Sequence, residues 1–453
     1  MTDGSTGFLF STPEMKGIFS LPSQLRAMAR FEWALSCALE KHRLAATGSG
    51  AVLQQLLDTD FVDIISLQSQ AVDAGNIAIP FVHQLTAIVR ALNENAARTI
   101  HLGATSQDVL DTALVLQMRD AFAILNSELK RLESALATQV RLHADTVLTG
   151  RTWLQPGPPT TLGLKFAGTL AALRRHRNRI QAVAQRALVL EFGGAVGTLS
   201  ALGESGADVS HEVAQLLELR DPELPWHTQR DNLVEIATVL ALLIGTLGKL
   251  AKDIALLMQA EVGEASEPVG EGRGGSSTMP QKHNPVGCAA VLACATRVPG
   301  LVATMLSAMP QEHERGLGFW QAEWETLPEI FRLASAALAR SIEIAEGLEV
   351  DEAQMRANLD ARLGLTQAEA VSVALAHKLG RTEAHELLRN AARRAVEARK
   401  HIATILQGMP EVTAHLDAQE IDKLLEPRNY LGSARSFIDR VLESREGDEH
   451  GRE

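Results

Sequence analysis

The stretch LVEIATVLALLIGTLGKLAKDIALL, residues 233–257, decides the fold of this chain. Its apolar residues recur at spacings of three and four, at Leu233, Ile236, Leu240, Leu247, Leu250, Ile254 and Leu257. That spacing predicts one face of a long helix. Between Leu233 and Ile244 the run is apolar on nearly all sides, so the helix must be covered all round. We therefore predict a helical bundle that self-associates through its long helices.

Three other stretches have the same rhythm and predict three more long helices. The first carries Phe122, Leu125, Leu129, Leu132, Leu136 and Val140, and the second Phe166, Leu170, Leu173, Ile180, Val183 and Ala187. The third follows Pro285 and carries Val291, Ala295, Val298 and Leu301, with Pro299 expected to kink it. Aromatic residues make up only 4% of the chain, which disfavours strands. The predicted fold class is all-α.

A chain of 453 residues is too long for one compact core, so several domains are expected. Residues 1–110 contain short helical segments interrupted at Pro13, Pro22, Gly48, Gly50, Gly75 and Pro80. Residues 111–354 hold the long helices and are expected to form the central bundle. Residues 355–453 are shorter and more charged, which predicts a small C-terminal helical domain with a disordered tail from 444 to 453.

The formal net charge of −12 is poorly suited to nucleic acid. The basic run at Arg174, Arg175, Arg177 and Arg179 lies within a helical pattern, and we interpret it as a helix surface. The odd set of cysteines (Cys37, Cys288 and Cys294) has no Cys-x-x-Cys pair, which indicates reduced thiols. We expect a soluble, cytoplasmic protein with no secretory signal and no membrane or nucleic-acid partner.

Two polar segments precede long helices. In HLGATSQD, residues 101–108, Thr105 and Ser106 suit a helix N-cap and Asp108 suits the positive end of the helix dipole. The same hydroxyls and free N–H groups could equally bind an anion. In GRTWLQP, residues 150–156, Arg, Trp and Gln are packed more densely than a plain connection needs, and structural and functional interpretations both stay open.

The third polar segment is GGSSTMPQKHNP, residues 274–285. Its glycines, and those just before it, are typical of a mobile lid over a substrate. Ser276 and Ser277 form a polar turn, Lys282 and Asn284 follow, and Pro285 begins the next helix. We predict a catalytic acid–base loop, and a flexible hinge is the structural alternative.

Together the three segments resemble those of the fumarase/aspartase superfamily, in the same order and along essentially the whole chain. The resemblance implies a three-domain fold whose long central bundle forms the twenty-helix core of a homotetramer. It also implies active sites that collect residues from several subunits. Metal-ligand spacing and phosphate-binding loops are not recognisable in the sequence, so no cofactor and no metal are expected.

The resemblance also implies roles for individual residues. Ser276 matches the position that moves a proton on carbon, and Lys282 and Asn284 match those that hold a carboxylate as it becomes an enediolate. His101 is the candidate partner of Ser276. The expected substrate-binding residues are Thr105, Ser106, Arg151, Thr152, Trp153, Gln155, Ser277 and Arg315.

Trp153 departs from the amino- and hydroxy-lyases of the superfamily, which have a His there in a Thr-His-x-Gln motif. Losing that acid would impair expulsion of an amine or hydroxide. A carboxylate leaving group, with a pKa of about 4, needs little proton assistance. Trp153 therefore favours the lactone-forming cycloisomerases of the superfamily, which the segments 150–155, 225–231 and 309–315 also resemble.

The predicted function is thus cyclisation of a small tricarboxylate, a carboxylated muconate, to a lactone. Three alternatives remain open at this point. One is a lyase of the argininosuccinate or adenylosuccinate kind that releases fumarate, and another is a cycloisomerase for a sulfonated muconate. The third is a structural protein that reuses the fold without turnover.

Overall fold

The computed structural model describes residues 6–268, 270, 274–275, 279 and 282–444. They are organised in two compact units. The first comprises Met1–Leu129, His176–Gly245 and Ala293–Ala339, and the second Lys130–Arg175, Thr246–Leu292 and Arg340–Glu453. Helices predominate in both units, which confirms the predicted all-α class.

The amino-terminal helices are α1 (Pro13–Ile18), α2 (Leu21–Lys41), α3 (Ser49–Gln54), α4 (Ile64–Ala74), α5 (Ala78–Leu92) and α6 (Glu94–Ala97). Pro13 and Pro22 lie in the first turns of α1 and α2, where a missing N–H group costs nothing. These prolines therefore begin helices, and α2 is longer than the predicted short segments. Gly48 and Gly75 separate the helices with φ values of 89° and 75°.

The middle of the chain forms α7 (Ser106–Leu142), α8 (Leu162–Ala187), α9 (Gly206–Leu217), α10 (Asp231–Leu257), α11 (Val286–Ser307) and α12 (Phe319–Glu346). All of these except α9 contribute residues to both units. The predicted apolar faces of α7, α8 and α10 are buried, which confirms the helical periodicity. Helix α11 continues through Pro299.

Aromatic side chains mark the core of the first unit. The ring of Phe331 on α12 lies 5.3 Å from that of Phe19 and 5.2 Å from that of Phe122 on α7, measured between centroids. Phe31 on α2 meets Phe192 edge-on at 5.9 Å. The Phe122 contact joins α7 to α12, and the Phe31 contact joins α2 to the segment that follows α8.

The second unit contains a β-hairpin that the all-α prediction did not include. Strands β1 (Val147–Thr152) and β2 (Gln155–Thr161) pair antiparallel, with Thr152 opposite Gln155. The two turn residues, Trp153 and Leu154, have φ values of 55° and 62°, the geometry of a tight hairpin turn. A second, minimal pair joins β3 (Ala265–Ser266) to β4 (Glu349–Val350).

The carboxyl-terminal helices are α13 (Glu352–Asp360), α14 (Ala368–Leu379), α15 (Arg381–Ala398), α16 (Ile402–Gln407), α17 (Pro410–Thr413), α18 (Ala418–Leu425) and α19 (Ala434–Glu443). Helices α14 to α18 share an apolar core around Val371, Leu375 and Ile421. The domain boundaries expected at 110 and 354 remain a prediction. Most of the tail expected to be disordered lies outside the described residues.

Two of the described helices, α10 and α11, are long and apolar enough to cross a membrane by composition alone. In α10, 61% of the most apolar stretch is buried inside the protein, as in the core helix of a soluble protein. In α11 only 28% is buried. Val291, Val298 and Met305 of α11 are buried, whereas Val286 and Leu306 are 44% and 52% exposed within one chain.

Candidate active site

His101 lies in the loop before α7 and contacts Glu32 of α2 through two atoms. Its ring Nδ1 is 2.6 Å from Oε1 of Glu32, and its backbone N–H donates to Oε2 at 3.1 Å. The Glu32 side chain is completely buried, whereas 19% of the His101 side chain is exposed. His101 also has a φ of 61°, which is unusual for a residue with a side chain.

The surroundings of His101 shift its acidity. Burial alone would lower the pKa of the imidazole, but the charge and hydrogen bond of Glu32, together with the charge of Asp108, raise it above its ordinary value. The charged form of His101 is therefore favoured at higher pH than in an exposed histidine. This is the property a group needs to donate a proton near neutral pH.

Asp108 organises the start of α7. Its carboxylate accepts the backbone N–H of Thr105 at 2.9 Å, an N-terminal capping contact that fits the structural interpretation of this segment. It also accepts the N–H groups of Gly193 and Gly194 at 3.1 and 3.0 Å. Thr105 and Ser106 are half-buried beside it. The capping contact leaves their hydroxyls at a helix N-terminus, where an anion could also bind.

His227 lies between two buried carboxylates. Its Nε2 is 2.6 Å from Oδ1 of Asp108 and 3.1 Å from Oε1 of Glu191. Burial, followed by the charges of Asp108 and Asp111, raises the pKa of Glu191 well above its ordinary value. Glu191 therefore keeps its proton to a higher pH than an exposed carboxyl group does, and protonation reduces the repulsion between the two carboxyl groups.

Asp108, Glu191 and His227 are also the group of described residues whose ligand atoms lie close enough together to consider a metal. Two ligands of one zinc ion, each about 2.1 Å from it, would be separated by roughly 3 Å or more. The 2.6 Å between His227 and Asp108 is a hydrogen-bonding distance instead. We interpret His227 and Asp108 as a hydrogen-bonded pair, with the Glu191 carboxyl group beside it at ion-pair distance.

One turn further along α7, Asp111 belongs to a buried ion-pair network around Arg230. The Arg230 guanidinium lies 2.7 Å from Oδ2 of Asp111 and 2.5 Å from Oε2 of Glu323. Trp320 and Gln107 donate to the same Asp111 carboxylate at 3.1 and 3.0 Å. Burial would lower the pKa of Arg230, but the two carboxylates raise it, so the cation persists. This network anchors the first turns of α7.

Arg315, an expected substrate-binding residue, is held by the loop that also binds Asp108. Its Nη2 donates to the carbonyl oxygens of Ala195 at 2.9 Å and Gly194 at 3.4 Å. Gly194 has a φ of 70°, and a Cβ there would lie 2.7 Å from the Gly103 oxygen. The loop thus connects Arg315 to the segment of His101, Thr105 and Ser106. The structure brings these predicted residues into one connected region of the first unit.

In the second unit, the hairpin places the other predicted binding residues near its tip. Trp153 is 97% exposed, and Thr152 and Gln155 are exposed beside it. Arg151 instead forms a two-point ion pair with the fully buried Glu264, at 2.8 and 2.7 Å. That pair gives Arg151 a clear structural role in holding the hairpin. A direct contact between Arg151 and substrate stays a prediction.

The predicted catalytic loop is described in part, and Ser276 and Ser277 lie outside the described residues. Lys282 is exposed, and its backbone N–H donates to Met279 at 3.0 Å. The backbone N–H of Asn284 donates to Gly274 at 2.8 Å, which closes the base of the loop. Gly274 has a φ of 66°, and a Cβ there would lie 2.7 Å from the Asn284 oxygen.

Glu267 stabilises the start of α11, directly after the loop. Its buried carboxylate accepts the N–H groups of Gly287 at 2.9 Å and Cys288 at 2.5 Å, at the positive end of the helix dipole. Burial and Glu267 together raise the pKa of the Cys288 thiol. The thiol therefore stays protonated and is a poor nucleophile.

Sequence reasoning missed several carboxylates that support this site: Glu32, Glu191, Glu264 and Glu267. Each has an ordinary helical or loop context in the sequence. One pattern in the sequence could have revealed such a carboxylate: a single acidic residue on the apolar face of a predicted helix. Glu32 occupies such a position in α2.

Comparison with known proteins agrees with this architecture. Residues 25–300 match the model of a family described as "Lyase", and residues 364–441 match one described as "Adenylosuccinate lyase C-terminus". The first match covers more than half of the chain, so the chain belongs to this lyase family. The resemblance to the fumarase/aspartase superfamily is thereby confirmed.

Within the family, the chain is 50% identical over 433 residues to 3-carboxy-cis,cis-muconate cycloisomerase of Pseudomonas aeruginosa, covering 96% of this chain and 94% of that protein. It is 48% identical over 422 residues to the enzyme of that name from Pseudomonas putida, covering 93% of this chain and 100% of that protein. A crystal structure of 3-carboxy-cis,cis-muconate lactonizing enzyme from Pseudomonas putida superimposes with a TM-score of 0.92 at 48% identity. It covers 96% of this chain and 98% of that one.

Proposed function

We propose that this protein is a cycloisomerase that converts 3-carboxy-cis,cis-muconate to 4-carboxymuconolactone, in the protocatechuate branch of the beta-ketoadipate pathway. The observation that carries the proposal is the near-half identity, along almost the whole chain, to enzymes of that name. Trp153 at the hairpin tip supports it independently, because a carboxylate leaving group needs little acid assistance.

The reaction is an intramolecular conjugate addition. One carboxylate oxygen forms a bond to an alkene carbon, and the π electrons move towards a neighbouring carboxylate, which becomes an enediolate. A proton then adds to the carbon next to that group. One of three carboxylates becomes an ester, so the net reaction takes up one proton.

The catalytic roles fall to residues of the loop and the His101 segment. Ser276 delivers the proton to carbon, and His101 is its candidate partner. Lys282 and Asn284 stabilise the enediolate, where the Lys282 charge opposes the charge that develops. Two backbone contacts support this assignment, because the N–H of Asn284 donates to Gly274 and the N–H of Lys282 donates to Met279.

The remaining predicted residues bind the substrate. Its negative charge requires cations, for which Arg315 and Lys282 are the candidates. Hydroxyl and amide groups complete the site, and the proposed set is Thr105, Ser106, Arg151, Thr152, Trp153, Gln155, Ser277 and Arg315. No metal or organic cofactor enters the proposed chemistry, and we place the reaction in the cytoplasm.

The rival function is a lyase that releases fumarate from argininosuccinate or adenylosuccinate. The experiment that separates them incubates purified protein with each of these compounds and with 3-carboxy-cis,cis-muconate, then identifies the products by mass spectrometry. We expect a lactone from the muconate and no fumarate from the others. Fumarate formed at enzyme-like rates would refute the proposal, and no turnover of any muconate would favour a structural protein.

We also propose a homotetramer whose active sites combine residues of several subunits. Two observations support it. Val286 and Leu306 of α11 are exposed within one chain, and the Trp153 side chain extends from the protein surface. A second copy of this chain would cover both, as a long shared helical core requires.

The tetramer predicts the effect of a charge on α11. Leu306 is 52% exposed within one chain, and Leu306→Glu would place an unpaired carboxylate in the proposed interface. We expect light scattering after size exclusion to show a tetramer for the wild type and smaller species for this variant.

The matched control is Ile65→Glu on α4, where the side chain is already 84% exposed. This control variant should remain tetrameric. A wild type that elutes as a monomer, or a Leu306→Glu variant that remains tetrameric, would contradict the proposed interface.

A further inference from the structure

Glu32 is a completely buried carboxylate that has no part in the reaction described so far. We propose that Glu32 is a positioning residue that orients His101 as the proton-donating partner in catalysis. This inference rests on the proposed function, because it assigns a role within that reaction. It stands on the two-point contact between Glu32 and His101.

The contact determines which ring nitrogen of His101 can react. Nδ1 lies 2.6 Å from Oε1 of Glu32, and a carboxylate oxygen accepts, so Nδ1 carries a hydrogen. The Nε2 atom is then the nitrogen that gains and loses a proton. Part of the His101 side chain, 19%, remains exposed, whereas the Glu32 side chain is completely buried.

The second oxygen of Glu32 fixes the backbone of the same residue. The N–H of His101 donates to Oε2 at 3.1 Å, at a residue whose φ of 61° lies in the left-handed region that residues with a Cβ seldom adopt. One buried carboxylate thus holds both the ring and the main chain. A carboxylate that served only to fill the core would not need to contact both the ring and the main chain of one histidine.

The charges around His101 favour the imidazolium. Glu32 on α2 and Asp108 in the first turn of α7 both stabilise the cation, and together they outweigh burial. The proposed reaction takes up one proton, so the site needs a donor that is charged near neutral pH. The N–H bond at Nε2 of His101 breaks to supply the proton that the reaction takes up, and solvent then reprotonates His101.

The test uses Glu32→Gln, which keeps the shape of the side chain and removes its charge. In the wild type, kcat/KM with 3-carboxy-cis,cis-muconate should fall as pH rises through the pKa of His101. In the variant this alkaline limb should move to lower pH by about one unit, since a close opposite charge shifts a pKa by roughly that much or more.

The matched control is Glu40→Gln on the same helix. Glu40 also holds a loop, because it accepts the N–H groups of Gly48 at 2.7 Å and Gly50 at 3.2 Å. The N–H of His101 donates to Glu32 and not to Glu40. The control should lower stability at most and leave the alkaline limb unmoved. A purely structural role for Glu32 predicts the same result for both variants.

A second measurement is independent of turnover. Diethyl pyrocarbonate modifies neutral imidazole, so the rate of His101 modification against pH, read by peptide mass spectrometry, gives its pKa directly. The midpoint should fall in Glu32→Gln and not in Glu40→Gln.

The outcomes separate the two proposals. An unchanged midpoint, or a shifted midpoint with an unmoved alkaline limb, would overturn the role of Glu32. A wild type that turns over no muconate would refute the proposed function, and with it the catalytic part of this inference. The modification rates would still show whether Glu32 controls the protonation of His101.

Discussion

Ser276→Ala lowers kcat for 3-carboxy-cis,cis-muconate by about a thousandfold and leaves KM within a few-fold of the wild type. Serine is proposed to move the proton on carbon, and removing a proton-transfer group typically costs 10²- to 10⁴-fold, or roughly 3–5 kcal/mol of transition-state stabilisation. The measurement is steady-state kinetics with a saturating range of substrate. A loss confined to kcat identifies an interaction made in the transition state.

The neighbouring Ser277→Ala is the matched control, because it removes the same hydroxyl one position away. Ser277 is proposed to bind substrate, so its variant should raise KM about tenfold, as expected for one lost hydrogen bond. Ser276→Ala with wild-type kcat would refute its catalytic role. Equal effects of the two substitutions on kcat and KM would contradict the separate roles proposed for Ser276 and Ser277.

The second large effect is on stability. Arg230→Met removes the cation that separates two buried carboxylates, Asp111 and Glu323, at 2.7 and 2.5 Å. Breaking a buried ion pair on one side costs about 3–5 kcal/mol, because the remaining charges are left uncompensated. The melting temperature should fall by many degrees when measured at one fixed protein concentration, which an oligomer requires.

The control for this prediction neutralises all three groups. The triple variant Asp111→Asn, Arg230→Met and Glu323→Gln should recover most of the lost melting temperature, since it leaves no buried charge unpaired. The amide oxygen at 111 can still accept from one of the two neutral donors of Asp111, Trp320 or Gln107. If Arg230→Met melts like the wild type, or the triple variant melts no higher than the single one, the charge argument fails.

The long helices could be predicted because their signal is local and repeated. Residues such as Leu125, Leu129 and Leu132 recur at the helical period, and each is buried in the structure. The hairpin could not be predicted in the same way. Its strands are rich in Gly and Pro, and its turn uses Trp153 and Leu154 where Asn-Gly is the usual signal.

The candidate site was predictable where side-chain chemistry is concentrated in one segment. It was not predictable where two segments must meet. Glu32 is 69 residues from His101, and Glu264 is 113 residues from Arg151. In the sequence an isolated Glu is typical of a solvated surface, and only the fold shows that it is buried against a histidine or an arginine.

Arg151 shows how this affects the interpretation of a motif. The segment 150–155 resembles that of the lactone-forming enzymes, but the structure pairs its arginine with a buried carboxylate. Arg315 likewise donates to the carbonyls of Gly194 and Ala195. A sequence reveals which residues are unusual, and their contacts decide whether each one binds substrate or holds the residues that do.

The measurement that tests the central proposal most directly is the loss of diene absorbance in the ultraviolet, followed with 3-carboxy- and 3-sulfo-cis,cis-muconate side by side. We predict enzyme-like turnover of the carboxylated compound to 4-carboxymuconolactone and a much lower kcat/KM for the sulfonated one. A clear preference for the sulfonate would reassign the substrate, and no diene loss with either compound would contradict the proposed cycloisomerase.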